Sequence, residues 1–277
     1  MAVSVLANAA QTFAANRARG HVALSVAAAH GVTRRRHVGE VGSLRVRFPG
    51  PAAADLEAVI VNTAGGIAGG DQLALDISVG ATARLTVTTA AAEKVYRSLG
   101  PAAAVNLTLT VEANGTLVWL PQETILFDRA RLRRTIEVDL AENARLVLAE
   151  ALVFGRAAMG EAMEQGSVFD RWRVRRGGKL ILAETTRLDD EIGAQLRQPA
   201  VAAGGAALAT LLLVPGDEAH VTAVRAIADP RGEVAISAWN GLAVARFVAR
   251  DGAALRYDLT AALTALGVPL PRLWLNS

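Results

Sequence analysis

The residues of this chain best suited to chemistry are carboxylates. Asp71, Glu123, Asp128, Glu150, Glu161 and Glu184 lie at or near the ends of apolar, alternating runs. Two such acids facing each other could act as a glycosidase pair. Several converging in an apolar interior would have raised pKa values and would suit a weakly held divalent ion. The commoner use of an acid at a strand end is to cap a turn. Other catalytic equipment is missing. Cysteine is absent, which removes thiol nucleophiles, disulfides and thiolate metal sites and is compatible with a reducing compartment. The histidines His21, His30, His37 and His220 are not spaced i, i+4, and neither His-Glu-x-x-His nor Gly-x-Ser-x-Gly occurs. A tight, pre-built transition-metal site is therefore not expected.

The segment Asn62–Asp71 places Gly65, Gly66, Gly69 and Gly70 between two alternating runs. Leu56, Ala58 and Ile60 keep a period of two before it, and Leu73, Leu75, Ile77 and Val79 keep it afterwards. The loop thus joins strand to strand. A phosphate-binding P-loop would end in Gly-Lys-Ser/Thr, whereas this one ends in Asp71-Gln72. A dinucleotide loop would open a helix. Both nucleotide readings fail on residue type and on context. Two uses remain open. The glycines can supply positive φ, which costs other residues roughly 1–2 kcal/mol. Bare backbone can also admit a partner or ion, with Asp71 as an oxygen donor.

The elements that must position these residues are mostly strands. Val105–Val111 and Ile136–Leu140 alternate cleanly. Arg171–Arg176 runs through Gly177-Gly178 into Leu180–Ala183 as a hairpin, and Val234–Trp239, Asn240-Gly241 and Leu242–Val248 form a stronger one. Many short strands at regular spacing predict a mostly-β chain: sandwich, barrel or β-solenoid. Ala253–Leu266 predicts an amphipathic helix that stops at Gly267 and packs as a lid on a sheet. Gly155–Met163 predicts one or two helical turns. Pro121 is expected at a strand edge or bulge, and Trp119 and Phe127 are expected to anchor the core.

The 277 residues carry a net charge of only +3. Lys94 and Lys179 are the only lysines, and Arg34-Arg35-Arg36 is the one basic cluster. No aromatic residues accompany it, so it reads as a solvated loop and not as a nucleic-acid patch. Asn8, Gln11 and Asn16 interrupt the apolar N-terminus. No signal peptide or membrane span is expected, which makes the cytoplasm the default. No linker divides the chain, so residues 1–277 are expected to form a single domain.

Five segments in order resemble the urease accessory protein UreD family, called UreH in some bacteria. They are Asn62–Asp71; Lys94, Tyr96, Arg97 and Ser98; Trp119-Leu-Pro121-Gln122-Glu123 through Phe127; Gly155-Arg156 with Gly160-Glu161; and Pro271-Arg-Leu-Trp274. The first fifty residues and Val201–Pro230 match only loosely. The resemblance implies a β-helix-like stack of strands with about two α-helices and no enzymatic activity of its own. It implies a scaffold that binds the urease apoprotein and the accessory proteins UreF and UreG, the latter a GTPase that carries nickel. It also implies an internal tunnel through which nickel passes, with no cofactor tightly bound. Carboxylate, carbonyl and water ligands would hold nickel loosely enough for exchange. Asp71, Glu123, Glu150 and Glu161 are the candidate lining acids, chosen because they sit beside the signature segments. Lys94 and Arg97 are expected to pair with such acids and set strand ends. The rival readings are a β-solenoid carbohydrate-active enzyme using paired carboxylates, and a plain assembly scaffold without an ion path.

Overall fold

The computed structural model describes residues 16–50 and 55–275. The chain enters through the hairpin β1 (Arg19–Ala29) and β2 (Val32–Gly42), followed by β3 (Leu44–Arg47). A first coil contains β4 (Asp55–Asn62) and β5 (Gln72–Val79). The second contains β6 (Arg84–Thr89), β7 (Glu93–Val95) and β8 (Ala103–Val111). The third contains β9 (Thr116–Trp119), β10 (Thr124–Leu126) and β11 (Arg131–Leu140). The fourth contains β12 (Arg145–Arg156), β13 (Glu161–Ala162) and β14 (Gly166–Arg176). After β15 (Lys179–Asp190) come α1 (Ile192–Arg197), β16 (Ala207–Val214), α2 (Glu218–Arg225), β17 (Glu233–Trp239), β18 (Leu242–Ala249) and α3 (Gly252–Ala265).

Each coil gives one long strand to each of two sheets, making a β-solenoid of about four turns. The first sheet runs β15-β14-β11-β8-β5-β1-β2 and the second β17-β18-β16-β12-β9-β6-β4-β3. Within the coils the neighbours are parallel and in step, so residues of one type stack along the axis. Val22, Leu75, Leu107, Ile136 and Trp172 are paired rung by rung across the first sheet. Leu56, Leu85, Leu117 and Leu146 are paired likewise across the second. The period-two alternation selects which face is apolar, and the two apolar faces close on each other as the main core.

The second sheet is apolar on its outer face as well, as expected of strands covered on both sides. There α2, α3 and Trp274 cover Val118, Leu120, Leu211 and Phe247. Asp251 caps α3 by accepting from the Ala254 amide at 2.8 Å, and Leu255, Leu259, Ala262 and Leu263 are its buried stripe. The helix stops before Gly267, whose φ is +65°.

Both predicted hairpins form, with Asn240 and Gly241 at φ +49° and +73° in the tight turn. Gly155–Met163 holds one helical turn, of 3₁₀ type (Ala157–Met159), followed by the short β13. The mostly-β stack is the one the resemblance implies, with three α-helices among the described residues where it implies about two. Other local expectations need correction. Arg34–Arg36 lie within the exposed edge strand β2 and not in a loop. Charge on an edge strand deters further pairing. Val201–Pro230 contains β16, which inserts between β12 and β18. Phe127 is half-buried and not a core anchor, whereas Trp119 is buried as expected. No helix among the described residues is long and apolar enough to cross a membrane. The N-terminal stretch carrying Asn8 and Gln11 lies outside the described residues.

Candidate functional site in the solenoid corner and interior

Three signature segments and the residue that precedes a fourth meet on one ladder. Ile67 bridges Val95, Val95 pairs with Leu126, and Leu126 pairs with Phe154. One rung comes from each coil, so the segments form the corner where the chain passes between the two sheets. The corner is packed tightly enough to demand glycine. A Cβ on Gly66 would lie 2.5 Å from the Tyr96 ring, and one on Gly69 would lie 2.0 Å from Ser98 Oγ. The Tyr96 hydroxyl donates to the Gly65 carbonyl at 2.7 Å. Asp71 is buried and accepts from the Ala18 and Ala68 amides at 2.8 and 2.7 Å. Its carboxylate therefore ties the loop to the start of β1.

Two further clamps hold the corner. The Arg156 guanidinium stacks 4.0 Å from the Phe127 ring centroid and pairs with Glu161, whose other oxygen accepts from the Asp128 amide at 2.8 Å. That amide first, and then Arg156, hold the Glu161 carboxyl below the usual range. On the helical side, Arg256 of α3 donates twice to Glu123 at 2.7 Å, also reaches Gln122, and lies 3.9 Å over the Trp274 ring. Trp274 Nε1 donates to the Leu120 carbonyl at 3.1 Å. The Leu120–Glu123 segment, with Pro121 just after the end of β9, thus joins the solenoid to its helical cover.

The interior holds a different arrangement. Arg134 on β11, Glu150 on β12 and Asp170 on β14 all occupy inward positions of apolar strands. Arg134 donates to both carboxylates, and the three side chains are only 5–7% exposed. Trp119 Nε1 donates to Glu150 at 2.8 Å and Trp172 Nε1 to Asp170 at 3.1 Å. Burial pushes the Glu150 pKa up; Arg134 opposes this and the Asp170 charge adds to it. Burial would lower the Arg134 pKa, but Asp170 and then Glu150 carry it above its ordinary value, so the guanidinium stays charged.

Two cavities flank this triad. One, of about 400 Å³, lies between Asp170, Trp172, Glu184 and Thr210 and reaches the exposed Arg187 and Arg246. The other, of about 70 Å³, is lined by Trp119, Leu107, Thr89, Pro121 and Glu93. Arg134 and Glu150 border both. Glu93, at the second cavity, has its pKa raised by burial against a hydrogen bond from Asn62.

A stack of parallel coils is what the resemblance implies, and the comparisons agree on the family. The family model for the UreD urease accessory protein matches residues 18–275. The chain belongs to the UreD urease accessory protein family. It is similar to proteins named urease accessory protein UreD from Rhodopseudomonas palustris strain BisA53 (60% identity over 265 residues, 95% of this chain and 93% of that protein). It is similar also to those from Rhodopseudomonas palustris strain CGA009 (57% over 278 residues, all of both) and Bradyrhizobium diazoefficiens (59% over 265 residues, 95% and 96%).

In this UreD-family chain the four acids singled out from sequence are not gathered. Glu150 lies in the interior. Asp71 faces backbone amides, Glu123 faces Arg256, and Glu161 faces Arg156. Among the described residues, no group of three or more His, Cys, Asp or Glu side chains is arranged to hold a metal ion. Lys94 and Arg97 are exposed and do not pair with these acids, contrary to expectation. The Lys94 carbonyl instead accepts from the Ile67 amide at 2.7 Å, and Arg97 bridges Ala130 through its backbone. The ladder fixes this segment through the main chain. Sequence reasoning missed Arg134, Asp170, Trp172 and Arg256. The signal for the first two was a charge at an inward position, between Leu132 and Ile136 and between Val168 and Trp172.

Proposed function

We propose that this chain is a cytoplasmic, non-enzymatic scaffold of urease maturation that binds the urease apoprotein with UreF and UreG and conducts Ni²⁺ through its interior towards the urease active site. The observation that carries this reading is that two cavities, the larger of them open to solvent at Arg187 and Arg246, meet at the buried Arg134 and Glu150. Nickel is cargo in this scheme, and no cofactor is held. Oxygen ligands suit cargo, because they bind nickel less firmly than imidazole or thiolate and so permit release. Glu93, Glu150, Asp170 and Glu184 border the two cavities and form the path. Of the acids selected from sequence, Glu150 belongs to it, while Asp71, Glu123 and Glu161 anchor loops. Binding of apo-urease would hold its nascent metal site open, which requires the scaffold to prefer that state. A carbohydrate-active enzyme is less well supported. The buried carboxylate pair is bridged by one guanidinium, which leaves neither acid available as a general acid or base.

Affinity-tagged chain expressed with the urease subunits, UreF and UreG should recover all of them, and the recovered urease should contain nickel. Glu150→Gln should lower urease nickel content with the assembly intact. Failure to recover urease would remove the scaffold reading. Full nickel loading by a double Glu150→Gln, Glu184→Gln variant would remove the conduit.

A further inference from the structure

Arg134 and its partner Glu150 form the wall that the two cavities share. Its guanidinium points a permanent positive charge between Glu150 and Asp170, donating to both. Trp119 lines one cavity and Trp172 the other, and their indole N–H groups donate to Glu150 and Asp170 respectively. A planar fork is suited to bridging two carboxylates at once, which a compact ammonium cannot do equally well. With both acids ionised the triad still carries one net negative charge in a water-poor interior, where charge is costly unless paired. A neutral solute gains nothing by displacing the guanidinium. An anion would strip Arg134 from its partners and leave two carboxylates facing each other. A divalent cation can replace the guanidinium and satisfy both.

We propose that Arg134 sets what the interior passage admits: it closes the neck to neutral and anionic solutes, and a divalent cation crosses by taking Glu150 and Asp170 over from it. The guanidinium swings aside as the cation arrives and returns as it leaves, so the ion is not retained. This rests on the conduit reading above, and adds to it the residue that selects the cargo and prevents its trapping.

The test is a titration of the isolated, full-length chain with NiSO₄, read by equilibrium dialysis and by quenching of tryptophan emission, since Trp119 and Trp172 each donate to one of the carboxylates. Arg134→Gln should bind Ni²⁺ at least tenfold more tightly than the unaltered chain. Adding Glu150→Gln to it should return the affinity to the original level. Arg134→Lys retains a positive charge in the core and guards against misfolding of the glutamine variant. It should tighten binding at least threefold. A folded Arg134 variant with unchanged Ni²⁺ affinity, judged by circular dichroism and the quench, would overturn the proposal. Because the titration needs no urease, that result alongside normal dependence of urease nickel loading on Glu150 would remove Arg134 while leaving the conduit in place.

Discussion

At the scale of residues, Glu150 is a carboxyl whose protonation the fold alters. Burial raises its pKa, and the charge on Asp170 works in the same direction against Arg134. A carboxyl whose folded pKa lies above its unfolded value contributes stability fully present below the ordinary carboxylate range. That contribution is lost as pH rises through the raised value. Glu150→Gln removes this titration. Urea midpoints taken from about pH 4 to pH 8 should therefore shift in favour of the variant as pH rises. Parallel profiles for the two proteins would show that Glu150 titrates as it does in the unfolded chain. Removing one partner outright is harsher. Asp170→Ala should cost about 3–5 kcal/mol, the usual penalty for breaking a buried ion pair from one side. A loss under about 1 kcal/mol would mean that water reaches the triad.

At the scale of elements, the corner between the sheets depends on glycine for space as much as for dihedral angles. Gly69→Ala would drive a methyl group into Ser98 and the Pro101 carbonyl, with an expected loss of about 1–3 kcal/mol from overpacking. Gly100, with open space around it and no positive φ, is the control, and its alanine variant should change stability by about 0.5 kcal/mol or less. Equal losses at both sites would refute the packing account. The helical cover has its own tie. Asp258 of α3 is buried and accepts from the amides of Arg231 and Gly232 at 2.7 and 2.8 Å. Asp258→Ala leaves both donors unpaired and should cost about 2 kcal/mol or more. Faster amide exchange at the start of β17 would locate the damage.

At the scale of the whole molecule, the second sheet is shared by two cores. Its inner face closes the solenoid, and its outer face carries α2, α3 and Trp274. Neither core can lose its sheet without the other, so unfolding should be one transition seen alike by circular dichroism and fluorescence. Trp274 joins the end of the chain to Leu120, a residue 154 positions earlier. Trp274→Ala should lower stability by about 3–5 kcal/mol as a large core truncation, and the transition should stay single. A separate early transition in that variant would show that the cover folds apart from the solenoid.

Much of this arrangement was legible in the sequence, and for a physical reason. Period-two alternation fixes which side chains point inward whatever the partner strand, so β5, β8 and β11 and both hairpins could be read directly. The Gly-rich loop could be separated from nucleotide loops because its flanks alternate and its end carries Asp71 in place of lysine. The order of the signature segments sufficed for the family. Pairing across the coils could not be read, since parallel neighbours stand tens of residues apart and no local rule sets their register. For that reason Asp71, Glu123 and Glu161 looked equivalent to Glu150. Only the tertiary structure gave them different partners: backbone amides, Arg256, Arg156 and the buried Arg134. A carboxylate's chemistry is decided by what desolvates it and what charge faces it, and in a solenoid both arrive from another turn.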